Sequence, residues 1–182
     1  MKREDAFYHK ILLMTDLDDG YDEWLNGYLE SEKPLSDVVL ELVYCGSDVN
    51  KIISVLHNFC NEHPFDKSVV CDRLREYFKD AYYTNKMSKD EITTIMHRVV
   101  LNILETEDFD VHLWGSLYYL DDYYYFAEEG VIPWESFNSA FLSYLDNGVS
   151  IDSDPLHYNN QIEKGPTFID RIKHIFKRFF KR

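Results

Sequence analysis

Glycine and proline are scarce, seven and five in 182 residues, and long stretches run without either. That scarcity argues against a strand-and-turn architecture and for helices. Cysteine is too sparse and too uneven for a disulfide framework. Cys45, Cys60 and Cys71 make an odd count, each among residues of helical periodicity, and read as reduced, buried thiols. Long apolar runs are also missing. Nothing approaches the roughly eighteen residues a membrane-spanning helix needs, and the run Ile11 to Met14 is too short for a signal-peptide core. These absences predict a cytoplasmic protein. Finally, the chain has no nucleophile elbow, no glycine-rich phosphate loop and no metal-binding helix motif. We therefore expect no enzyme, no catalytic residue and no cofactor.

What is present is charge, unevenly divided. From Lys164 onward there are seven Lys/Arg and one Asp, a net of +6, so the total of −14 leaves −20 for residues 1–163. Such a body attracts cations and basic proteins and repels nucleic acid directly. In residues 167–182, Phe168, Ile169, Ile172, Ile175, Phe176, Phe179 and Phe180 recur at helical spacing, with Arg171, Lys173, Lys177, Arg178, Lys181 and Arg182 opposite. This predicts a basic amphipathic C-terminal helix. It can lie in an anionic membrane interface or dock its Phe/Ile face on the bundle. Docking has in its favour that exposed Phe179 and Phe180 would promote aggregation.

Caps and breakers divide the rest into an all-α, single-domain bundle of about eight or nine helices, partly stacked as helical hairpins. The expected division is an acidic helical domain over 1–148, a linker over 149–166 and the tail helix over 167–182. Helices are expected at Glu4–Met14, Tyr21–Leu29 and Ser36–Tyr44. Ser47 should cap the next, with Val49, Ile52, Ile53, Leu56, Phe59 and Cys60 inward. Asp66 to Tyr83 follows, with Val69, Val70, Leu74, Tyr77 and Phe78 inward. Ser88 and Glu91 form a capping box, and Ile92, Ile95, Met96, Val99, Val100 and Ile103 make the apolar face behind it. Two further helices cover about Val111 to Glu129, ended by Gly130, and a segment with Pro133 at its first position, ended near Asn147-Gly148.

Three segments invite a functional reading. The acidic turn Asp16-Leu17-Asp18-Asp19-Gly20-Tyr21-Asp22-Glu23 suggests calcium, but an EF-hand frame fails on it, because Thr15 and Leu17 fall at ligand positions. Acidic residues at a helix start need no metal to explain them. His57, Cys60 and His63 are spaced by three, with Cys71 beyond, yet their placement on a helical stripe favours core packing over zinc; no metal is expected. The run from His112 to Gly130 differs. Leu113, Leu117, Leu120, Tyr124 and Ala127 can face a core, flanked by Trp114, but Tyr118, Tyr119, Tyr123, Tyr125 and Phe126 cannot all share one buried side. Either some of them reach the surface beside Asp121, Asp122, Glu128 and Glu129, making a protein-binding patch, or the helix is central and buried all round.

The acidic aromatic run Trp114 to Gly130, continuing through Val131-Ile132-Pro133-Trp134-Glu135, together with the turn Asp16 to Glu23, resembles the immunity proteins that bacteria encode beside polymorphic toxins, including contact-dependent growth inhibition systems. The likeness is one of type, over about a third of the chain and without a diagnostic motif. It implies a cytoplasmic toxin inhibitor that covers the active site or substrate cleft of one cognate basic toxin domain, often a nuclease. Asp16, Asp18, Asp19, Asp22, Glu23, Tyr118, Asp121, Asp122, Tyr125, Glu128 and Glu129 would then meet the partner. The rival reading is a peripheral membrane or scaffold protein anchored by residues 167–182.

Overall fold

A computed structural model describes residues 1–17, 20–106 and 110–151. Among them every regular element is a helix: α1 Arg3–Met14, α2 Tyr21–Ser31, α3 Asp37–Cys45, α4 Val49–Asn61, α5 Lys67–Tyr83, α6 Lys89–Thr106, α7 Val111–Glu128 and α8 Trp134–Asn147. The all-α expectation holds. The expected tail helix and most of the linker lie outside the described residues, as do Asp18 and Asp19. Among the described residues no helix is long and apolar enough to cross a membrane, and Cys45, Cys60 and Cys71 are free thiols.

Sequential neighbours α3/α4, α6/α7 and α7/α8 pack as pairs, while α1 crosses from its own end of the chain to pack on α4, α5 and α6. That central position explains why seven consecutive residues, Ala6 to Leu12, are buried, including two that are polar. His9 stacks on Trp24 with ring centroids 4.4 Å apart, and burial, reinforced by the nearby Arg73 charge, drives its pKa down to about 4. Lys10 places its ammonium 3.2 Å from His57 Nδ1 and 4.9 Å from the Phe7 ring centre, so its charge stays partnered inside the core. Arg73 ties α5 to α1 by lying 3.9 Å over Tyr8 and donating to Asp5 at 2.6 Å.

Local signals act as their chemistry predicts. The Ser88 backbone N–H donates to Glu91 Oε2 at 2.8 Å and Glu91 N–H donates back to Ser88 Oγ at 3.2 Å, closing the capping box. The six apolar residues expected behind it, Ile92 through Ile103, are all buried. Gly148 ends α8 in the left-handed region at φ 63°, a conformation that glycine adopts without the strain a Cβ would bring.

Several expectations shift. Asp48, not Ser47, caps α4, because its carboxylate accepts from Lys51 N–H and reaches the first turn as a cap must. Pro133 stands at the cap of α8 rather than its first helical residue. Val49 and Val69, expected inward, are exposed. Val69 and Val70 are a hundred degrees apart on the helix, and Val70 takes the core side.

Candidate protein-binding face

The aromatic helix α7 divides into two halves. From Trp114 to Leu120 every residue except Tyr119 is buried, which covers all directions around the axis, so this half is a central helix. Its small residues let the chain return across it. Ser116 Oγ accepts from Ile151 N–H at 2.9 Å, and a Cβ on Gly115 would stand 3.3 Å from Val111 and 3.7 Å from the Ile151 carbonyl. Tyr118 belongs to this half. It is 3% exposed and stacks on His97 at 5.7 Å, so a direct contact with a partner, as expected for Tyr118, is corrected to a core role.

Beyond Leu120 the helix opens. Asp121 to Phe126 are half-buried, and Glu128 and Glu129 are exposed. Asp121, Tyr124, Tyr125 and Glu128 follow one another at i, i+3, i+4 and i+7, a single stripe. Asp121 Oδ2 lies 3.4 Å from His97 Nδ1. Burial lowers the His97 pKa and the Asp121 charge opposes that shift. Tyr124 meets Trp134 edge-on at 5.4 Å and Phe137 at 5.2 Å. Its phenol pKa is raised by burial and by Asp90 and Glu128, so carboxylates from the start of α6 and the end of α7 both bear on one tyrosine. Trp134 is 44% exposed, and Glu135 is exposed beside it in the first turn of α8. Lys89, the nearby cation on α6, is turned instead to Asn138. Tyr124 and Trp134 are thus in ring contact, with the Asp90 and Glu128 charges bearing on the tyrosine, and Tyr125, Asp122 and Glu129 on α7 and Glu135 on α8 are their neighbours along the chain. That composition suits a basic protein surface: flat rings to exclude water and carboxylates to receive Lys and Arg.

Tyr124, Trp134, Glu135 and Asp90 are not among the sequence-derived contacts, and Tyr124 was expected on the core stripe. Trp134 was detectable as a large aromatic directly after a Gly130 turn and a cap proline. Asp90 was not, because only the folding of α6 against α7 brings it near Tyr124.

The acidic turn is a separate feature. Asp16, Asp22 and Glu23 are exposed, but Asn102 donates to the Met14 carbonyl at 3.4 Å, which sets this turn near the far end of α6. Asp90 and Asn102 are about 18 Å apart along the helix axis at 1.5 Å per residue. One compact partner contact would have to span that distance to include both groups.

The histidine and cysteine series has other work. Both ring nitrogens of His57 are engaged, by Lys10 and by Asn61 at 2.9 Å, Cys60 is buried against the Arg3 carbonyl, and His63 is exposed. Among the described residues no group of three or more His, Cys, Asp or Glu is arranged to hold a metal ion. Comparison with protein-family models, curated proteins and solved structures finds no match to this chain.

Proposed function

We propose that this is an immunity protein that binds and neutralises a basic toxin domain, of the nuclease type, by laying the acidic aromatic end of α7 and α8 over its active site or substrate cleft. The observation that carries the reading is the ring contact of Tyr124 with the exposed Trp134, with the Asp90 and Glu128 charges bearing on that tyrosine, on a body of net charge −20. A nuclease must expose Lys and Arg to hold phosphates. Carboxylates presented in fixed positions compete for those cations, and the long-range field speeds capture. The rings supply the water-excluded centre where binding energy concentrates.

The test begins with the gene immediately upstream, where a toxin gene would stand. The purified chain should form a stable complex with the basic domain encoded there and abolish its toxicity. Trp134→Ala or Tyr125→Ala should weaken the complex by on the order of 2 kcal/mol, and the association rate should fall steeply with salt. Protection of cells without a physical complex would overturn the mechanism.

A further inference from the structure

The exposed side of α3 points to where the C-terminal segment binds, independently of the toxin reading. Seven of the nine α3 residues are apolar, yet only Val39 and Leu42 are buried. Leu40, Val43 and Tyr44 are 38%, 44% and 87% exposed and lie at i, i+3 and i+4 on the outer side. Exposed apolar side chains grouped on one side of a helix mark a contact surface. Asp37 and Glu41 are exposed on the same side, so a cover for α3 must offer both apolar and cationic groups. Residues 167–182 carry a Phe/Ile stripe with six Lys/Arg beside it, and a second copy of the chain is disfavoured because each body would bring a charge of −20. The tether is adequate. Residues 152–166 can extend about 50 Å at 3.3 Å per residue, more than the roughly 40 Å width of a domain this size. A covalent tether also holds the segment at millimolar effective concentration.

We propose that residues 167–182 dock their Phe/Ile stripe on the outer face of α3, over Leu40, Val43 and Tyr44, with their cations against Asp37 and Glu41. The full chain and its Leu40→Gln/Tyr44→Gln variant, which alters only exposed side chains and adds no tryptic site, should be digested briefly with trypsin and the cleavages at Arg171, Lys173, Lys177 and Arg178 followed by mass spectrometry. Losing two apolar contacts should speed those cleavages at least about tenfold, while far-UV circular dichroism stays the same. Phe176→Gln/Phe179→Gln should speed them equally and raise hydrogen exchange in residues 37–45, a readout that does not depend on changing α3. Equal cleavage rates in the full chain and both variants would overturn the proposal. So would a concentration-dependent dimer in sedimentation that Leu40→Gln/Tyr44→Gln converts to monomer, which would make a second copy the cover. Sedimentation with phosphatidylserine/phosphatidylcholine vesicles at low salt, unchanged by Leu40→Gln/Tyr44→Gln, would likewise reassign the segment to a membrane surface.

Discussion

Acidification should destabilise this protein through a histidine that its fold keeps neutral. His9 is 4% exposed, stacked on Trp24 and edge-on to Tyr8 and Tyr21. Burial is the main cause of its low pKa, the Arg73 charge adds to it, and Asp5 opposes it. The folded value of about 4 stands against 6.5 in an unconstrained chain. Between those two values the unfolded chain binds a proton that the fold does not, so stability is full above pH 6.5 and falls as the pH drops toward 4. A difference of about 2.5 pH units corresponds to about 3 kcal/mol in the limit, of which about 2 kcal/mol is lost by pH 5. The perturbation is His9→Phe, which keeps an aromatic ring in the stack and removes the titration. Urea unfolding of both proteins, followed by circular dichroism at pH 7.5 and pH 5, cancels the carboxylates they share. Between the two pH values, the wild type should lose about 2 kcal/mol more than His9→Phe. Parallel losses would refute the argument that His9 is held neutral by its burial.

Further expectations follow from packing, capping and thiol burial. Phe141→Ala should cost about 3–5 kcal/mol, since Phe141 is fully buried against Phe137 and Tyr82; a loss below 1 kcal/mol in denaturant titration would contradict the packing. Ser88→Ala should cost about 1 kcal/mol, read as a lower urea midpoint with an unchanged slope. Cys71 should stay unmodified by a thiol reagent at pH 8 in the folded protein and react on unfolding, because burial, with Asp72 and Asp110 nearby, pushes its pKa up; rapid native labelling mapped to Cys71 would count against that burial. In the proposed complex, Glu128→Lys should slow association and flatten its salt dependence, while Tyr118→Phe, confined to the core, should leave the association rate unchanged.

Helical identity was legible in the sequence because it rests on short-range rules. A hydroxyl three residues before a carboxylate caps α6 wherever that helix lies, and Ile92 to Ile103 repeat at the period of one face, so both were readable without a partner helix. Scarce glycine and proline set the helical class by the same local logic. The candidate face was only half legible. Tyr125, Glu128 and Glu129 stand out as composition, whereas Tyr124 reads as part of the core stripe; composition is silent on which stretch of α7 is covered, and the half from Trp114 to Leu120 proved central. Burial of Tyr118 depends on α6 presenting His97 to it, and the approach of Asp90 to Tyr124 depends on how α6 and α7 align. The greatest contribution of the tertiary structure concerns α1. Its Ala6 to Leu12 sequence includes His9 and Lys10, which a periodicity argument would turn outward, yet packing by α4, α5 and α6 buries both. Side-chain period reports which residues can share a face, whereas the number of faces that become covered depends on how many neighbours arrive from distant parts of the chain.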